Sequence, residues 1–298
     1  LSFGCVLGIG VAAEKICALA GAEKKWTKAL VSSMALQLVT LPVMLKFFGE
    51  VSLAGFFLNL LVLPSVGFVL IGGMAALLLG IFCIPAAKLA ILPARGLLLF
   101  YEYLCSLAGK LRWSTWIGGE PEIWQILVYY GILITVLFIG QYVKIQIRKE
   151  KESSQRKERS GEQEKAVRWK LCTLRMAAGA LLTAGILVLG FHPSGKLKVT
   201  CLDVGQGDGI LVETPDNHHF LIDGGSSSQS DLGRYCLLPA LKSQGISYLD
   251  GLFISHTDKD HISGAKELLE YMGNGLTTIR AGYLVLPSWA EKPEAWEE

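Results

Sequence analysis

The sequence predicts a polytopic α-helical membrane region followed by an α/β domain. Hydrophobic residues make up 51% of the 298 positions and mean hydropathy is +0.43. Apolar stretches close to the ~20 residues needed to cross a bilayer recur through the first two thirds of the chain. Charge divides at the same place: residues 1–191 hold 20 Lys+Arg against 11 Asp+Glu, a balance of +9, and residues 192–298 hold 8 against 15, a balance of −7. Beyond residue 192 the apolar pattern changes to short alternating runs separated by turn residues, which is the pattern of strands.

Candidate spans are residues 1–13, a stretch that opens inside an apolar run, then 29–48, 66–84, 89–107, 123–143 and 171–191. Residues 144–170 hold ten basic residues and five glutamates with almost no apolar side chains, which predicts a flexible linker on the cytoplasmic side. The same preference of basic loops for the cytoplasm places Lys24, Lys25 and Lys28 inside. That requires residues 51–63 not to cross the bilayer, and Asn59 and Pro64 fit a re-entrant or interfacial helix there. The last span is short, and Arg175 near its start can reach back to the cytoplasmic interface. Residue 192 onward then lies outside the cytoplasm. The domain layout is therefore a membrane region over 1–143, a charged linker over 144–170, a final span over 171–191 and an external α/β domain over 192–298.

Polar groups inside the apolar region are costly to bury and worth explaining. Gln37, Asn59 and Glu102 are candidates to line a water-filled path. Alternatively, Glu102 sits in an interfacial aromatic belt within Phe100-Tyr101-Glu102-Tyr103, and Gln37 makes a helix-to-helix hydrogen bond. Pro42, Pro64, Pro85 and Pro93 predict broken or kinked helices. The seven cysteines form no CxxC pair, and five lie in or beside apolar segments, so neither a disulfide framework nor a cysteine-ligated metal is expected. Leu1 begins without Met, Glu298 follows Trp296 with no sign of a completed domain, and no signal peptide is visible; a piece of a longer protein is expected.

In the terminal region, strands are predicted at 197–203, 209–213 and 219–222, with the turn Pro215-Asp216-Asn217-His218 between the last two. A helix over about 232–244, a strand over 249–254 and a helix over 265–272 follow. Strands then helices in this order suit a sheet covered by helices, with a site at the strand ends.

That site is His256-Thr257-Asp258-Lys259-Asp260-His261, directly after the apolar run 251–254 and followed by Gly264. A sharp loop there would turn His256 and Asp258 one way while Asp260 and His261 complete a second cluster. Two imidazoles and two carboxylates suit zinc or manganese, and two such ions can activate a water and clamp both oxygens of a phosphoryl displacement. The plainer alternative is a solvated loop with a helix cap, but two of only five histidines beside two aspartates at ligand spacing outweigh it. Asp203-Val204-Gly205-Gln206-Gly207-Asp208 is on spacing alone a glycine-rich turn with capping aspartates. It is otherwise a loop that supports the metal loop or faces substrate. His218 and His219 read as solvated turn histidines.

These residues carry a family resemblance. The segments 202–208, Leu221-Ile222-Asp223-Gly224-Gly225 and 254–261 resemble the start of the metallo-β-lactamase-like (αββα) domain of the ComEC/Rec2-type competence DNA-uptake channels. Leu1-Ser2-Phe3, Leu41-Pro42, Phe47-Phe48-Gly49-Glu50-Val51-Ser52 and Asn59-Leu60-Leu61-Val62-Leu63-Pro64 resemble that family's membrane region. The pairing of the two halves is more specific than either alone. The resemblance implies a multi-pass plasma-membrane channel that takes up single-stranded DNA during natural transformation. It also implies an extracytoplasmic metal-dependent hydrolase acting as a DNase on the non-transported strand, and partners such as a DNA receptor and a cytoplasmic translocase. Lactamase-fold hydrolases usually show HxHxDH; here Asp258 stands at the second His position, and a hard oxygen ligand there favours manganese over zinc. By the same resemblance His256 and Asp258 serve one ion and Asp260 and His261 the other. Asp260 also orients the attacking water, Asp223 buttresses the loop, and Asp203, Gln206 and Asp208 support it or meet substrate. Further ligands are expected beyond Glu298. The external segment is acidic, so a grip on DNA must come from metal, from parts outside this chain or from the membrane region. Two alternatives stay open: a membrane-anchored hydrolase of another phosphoester, and a channel whose hydrolase domain is inactive.

Overall fold

The computed structural model describes residues 8–111, 113–155, 161–193 and 195–287, and the chain divides into two compact units. One comprises residues 1–44, 55–97 and 121–191; the other comprises 45–54, 98–120 and 192–298. The loop segments around residues 50 and 115 therefore belong with the α/β domain rather than with the helices that flank them in sequence.

The first unit is helical. A wide turn at Gly8–Ala12 leads into α1 (Ala13–Ala20), then α2 (Lys25–Phe48), α3 (Ala54–Phe82), α4 (Ile84–Gly109), α5 (Ile123–Gln155) and α6 (Gly161–Leu189). Five of these, α2 to α6, are long and apolar enough to cross a membrane. Their packed seams are narrow. Val136 and Val143 of α5 meet Leu171 and Ala178 of α6 and Leu19 of α1, and Ala12, Ala13 and Ile16 meet Ala35 of α2. Polar groups inside the unit are used: the Tyr129 and Tyr130 hydroxyls donate to the Leu38 and Val39 carbonyls at 2.7 and 3.0 Å. The Gln125 amide donates to the carbonyls of Val188 and Phe191 at the C-terminal end of α6, where carbonyls run out of helical partners. Outside the seams, large apolar side chains stand exposed, Phe68, Leu77 and Phe82 at 70, 73 and 88%. Such surface suits hydrocarbon, not water.

Several expectations are corrected here. Residues 51–63 form no separate re-entrant element: Glu50–Ser52 is strand β1 and α3 runs unbroken from Ala54 to Phe82. Pro42 and Pro93 lie inside continuous helices, and the one break, at Cys83, precedes Pro85 in the first turn of α4, where its missing N–H costs nothing. The charged stretch 144–170 is helical up to Gln155 and again from Gly161, because Lys, Arg, Glu and Gln are good helix formers whatever their hydrophilicity. Residues 1–7 of the first candidate span, and Arg156, Lys157 and Arg159 of the charged stretch, lie outside the described residues. Of the candidate path residues, Gln37 on α2 is half-buried, whereas Asn59 on α3 and Glu102 on α4 are exposed.

The second unit is built on a five-stranded sheet in the order β3 (Lys198–Cys201), β4 (Gly209–Glu213), β5 (His219–Asp223), β6 (Tyr248–Phe253) and β7 (Arg280–Val285). The first three strands are antiparallel and the last three parallel. The parallel half needs crossover connections, supplied by a wide turn at Gly233–Leu237 with α7 (Leu238–Ser243) and by α8 (Lys259–Gly273). Leu211, Leu221, Leu249 and Leu252 of the sheet pack against Leu237, Leu241, Ala265 and Leu268 of the helical layer. Strand β2 (Thr115–Ile117) pairs antiparallel with β1, places Ile117 in the same core, and the Lys242 ammonium lies 2.6 Å from the Glu50 carboxylate. Strand β7 was not expected; Gly282 and exposed Tyr283 interrupt its apolar pattern. Helix α8 begins at Lys259, six residues earlier than expected, with Asp258 at its N-cap position.

Candidate metal centre

Strands β5 and β6 end side by side, and both feed the centre. At the end of β5, Asp223 adopts a left-handed backbone (φ +57°) and Gly224 follows at φ +151°. Asp tolerates that conformation better than most residues, though strain of this kind is held only where the surroundings impose it. The turn sends the Asp223 carboxylate across to Ser255, two residues past the end of β6: Oδ1 accepts the Ser255 N–H and Oδ2 the Ser255 hydroxyl, both at 2.7 Å. Oδ2 also lies 3.0 Å from His261 Nδ1.

These bonds set both imidazoles. A carboxylate only accepts, so His261 Nδ1 carries a proton, and in the neutral ring Nε2 is the nitrogen that can bind a metal. The Ser255 hydroxyl has spent its hydrogen on Asp223 and can only accept from His256 Nδ1, 3.0 Å away, so Nε2 is the metal-capable nitrogen of His256 as well. Buried Asp223 thereby holds one histidine directly and the other through Ser255, as second-layer partners of metal-ligating histidines do.

Around the free nitrogens stand the acids. Ligand atoms of His256, Asp260 and His261 all lie within 4.8 Å of one another. The imidazole centroids are 3.6 Å apart, the Asp258 carboxylate is 3.7 Å from His256 Nε2, and the Asp260 and Asp208 carboxylates are 3.8 and 3.6 Å from His261 Nε2. Asp258 occupies the N-cap position of α8 yet makes no capping bond with its side chain, which is 78% exposed. The plain helix-cap reading therefore does not account for it. Two imidazoles whose Nδ1 atoms are held by hydrogen bonds turn Nε2 toward carboxylate oxygens, and that set of nitrogen and oxygen donors fits a divalent ion.

Other expected residues have different places. Asp203 is exposed and its carbonyl lies 3.5 Å from the Cys236 thiol. Gln206 works through its main chain: its N–H donates to Ser228 Oγ, and its carbonyl accepts from the N–H of Ser227 at 2.8 Å. His218 is not part of the centre; its Nδ1 lies 2.8 Å from Asp250, whose other oxygen accepts the His219 N–H. Hydrogen bonding to Asp250, then its charge, raises the His218 pKa above the ordinary imidazole value, while burial lowers that of His219.

Sequence reasoning missed Ser255 and the serine seam at Ser226 and Ser263, where the Ser226 N–H donates to Ser263 Oγ and the Ser263 hydroxyl to the Ser226 carbonyl. The available signal was the position of Ser255 between a strand end and a ligand. It also passed over why glycine stands at 207 and 225. A Cβ at Gly207 would meet the Gly225 carbonyl at 2.2 Å, and one at Gly225 would meet His261 N at 2.4 Å. The loops touch backbone to backbone.

A mixed sheet whose strand ends carry a His-x-Asp-x-Asp-His cluster, joined to helices fit to cross a bilayer, defines a membrane protein with a metallo-β-lactamase-type domain. The comparisons agree. The Competence protein family model matches residues 1–142 and the Metallo-beta-lactamase superfamily model residues 202–297. ComE operon protein 3 of Bacillus subtilis (strain 168) is 26% identical over 274 residues, 86% of this chain and 31% of that protein. Competence protein ComA of Neisseria gonorrhoeae is 34% identical over 84 residues, 28% of this chain and 12% of that protein. The chain thus spans about a third or less of the length of either relative. No solved structure matches it. Both halves of the chain, in this order, are thus similar to the ComEC/Rec2-type competence proteins.

Proposed function

We infer that the full-length protein is a channel for uptake of single-stranded DNA, with an extracytoplasmic metal-dependent DNase acting on the strand that is not transported. The single observation that carries the hydrolase reading is the pair of imidazoles held by Asp223, one directly and one through Ser255, with free nitrogens facing Asp258, Asp260 and Asp208. The match of residues 1–142 to a competence family supports DNA as substrate.

Orientation follows from charge. Four candidate spans separate Lys24, Lys25 and Lys28 from the basic stretch after α5, so both basic regions fall on one face, the cytoplasmic one. The fifth span then takes residues 192–298 to the other side. On that side a DNA receptor would deliver the duplex, and a cytoplasmic translocase would draw the strand inward.

In the centre, His256 and Asp258 would hold one ion and Asp260 and His261 the other, manganese in preference to zinc because Asp258 puts a hard oxygen ligand where lactamase-fold hydrolases usually have a histidine. When bound, the metal supplies Lewis acidity toward a phosphodiester. Asp260, 42% exposed, orients the attacking water and can accept its proton at Oδ2. Asp223 and Ser255 keep both imidazoles in the tautomer that leaves Nε2 free. The test is manganese-dependent cleavage of DNA by the full-length protein, wild type beside Asp258→Ala, together with transformation frequency. Loss of both cleavage and transformation in the variant is expected. Bound metal without DNA cleavage would move the reading to hydrolysis of another phosphoester, and no bound metal would leave a bare channel.

A further inference from the structure

We propose that Asp208 is itself a metal ligand, so that one ion of this centre is held jointly by Asp208, Asp260 and His261; this rests on the metal-dependent reading above. His261 Nε2, the ring nitrogen turned away from Asp223, faces Oδ2 of Asp208 at 3.6 Å and Oδ2 of Asp260 at 3.8 Å. Both distances exceed a hydrogen bond. Ligand bonds of about 2.0–2.2 Å put two ligands of one ion roughly 3.0–3.5 Å apart, close to the spacing seen. Asp208 stands toward His261 as Asp260 does, although 52 residues separate the two in sequence.

The loop that carries Asp208 is built to deliver it. The Asp208 N–H donates to the Asp260 carbonyl and the Asp208 carbonyl accepts the Gly225 N–H, each at 3.1 Å. Gly207 permits this approach, since a Cβ there would strike the Gly225 and Asp260 carbonyls at 2.2 and 2.6 Å. The main chain is thus pinned to the metal loop while the side chain stays 63% exposed. A third carboxylate beside Asp258 and Asp260 makes the donor set oxygen-rich, which favours manganese or magnesium over zinc.

Weakened metal binding alone does not identify a ligand, because removing an outer partner of a ligand also costs 10–100-fold in affinity. The decisive variant is Asp208→Cys in the full chain in detergent, loaded with cobalt(II). A thiolate bound to the ion gives a sulfur-to-metal charge-transfer band, expected for Asp208→Cys and absent from wild type and from Asp203→Cys. Asp208→Asn, which keeps the main-chain bonds, is expected to lower manganese affinity at least ~10-fold by calorimetry with an unchanged circular dichroism spectrum. A metal-binding wild type with no band in Asp208→Cys overturns direct ligation, whether or not Asp208→Asn weakens binding. A wild type that takes up neither cobalt nor manganese overturns the metal-dependent reading itself, and the ligand assignment with it.

Discussion

At the scale of single residues, the centre depends on one buried carboxylate, that of Asp223. Asp223 takes hydrogen bonds from Ser255 and His261, so Asp223→Asn turns an acceptor into a donor against His261 Nδ1 and releases the ring. A loss of about 10–100-fold in manganese affinity is expected, read by titration calorimetry. Ser255→Ala removes the hydroxyl that joins Asp223 to His256 but keeps the Asp223–His261 bond, and should fall at the low end of that range. A second acid–imidazole pair behaves differently. His218 is exposed and its raised pKa comes first from the hydrogen bond to Asp250. A raised folded value means that the pair adds to stability below the ordinary imidazole pKa and that the contribution is lost as pH rises through the folded value. The midpoint of the His218 ring signals, followed by NMR, is expected above the ordinary value and should return toward it in Asp250→Asn.

At the scale of elements, the metal loop is a junction of strand ends and a helix start that meet without side chains between them. The bare contacts at Gly207 and Gly225 bring the β3–β4 loop, the turn after β5 and the first turn of α8 together. Gly225→Ala places a methyl 2.4 Å from His261 N and 2.6 Å from Asp260 C, both main-chain atoms that cannot swing aside. The expected cost is at least about 1–3 kcal/mol, seen as a lowered melting temperature of the full chain in detergent. Gly131→Ala, on α5 with nothing within 4 Å of the added Cβ, should be neutral or slightly stabilising, since alanine is the better helix former. The spans follow the same reasoning in lipid. Phe68, Leu77 and Phe82 stay exposed because hydrocarbon, rather than protein, is their expected neighbour.

At the scale of the whole molecule, five crossings predict opposite sides for the two ends of the described chain. With the native cysteines removed, a cysteine at Asn217, in the turn before β5, should react with a membrane-impermeant thiol reagent on intact cells. One at Glu152, in the basic stretch, should react only after permeabilisation. Reaction at both positions in intact cells would break the orientation inferred from the basic loops.

Composition alone determined that the chain forms helices long and apolar enough to cross a membrane and that an acidic α/β domain follows, because apolar runs near 20 residues have few other stable states. The run His256 to His261 stood out as a candidate metal centre for a similar reason: histidines and aspartates at that density are uncommon. The sequence misled where length and hydrophilicity were taken for structure, at residues 51–63 and 144–170, since neither Pro64 nor a run of charges prevents a helix. Only the tertiary structure decided how Asp208, Asp223 and Ser255 meet the metal loop. Their convergence comes from β5 and β6 lying parallel and ending together, a pairing between strands some thirty residues apart that no local pattern records.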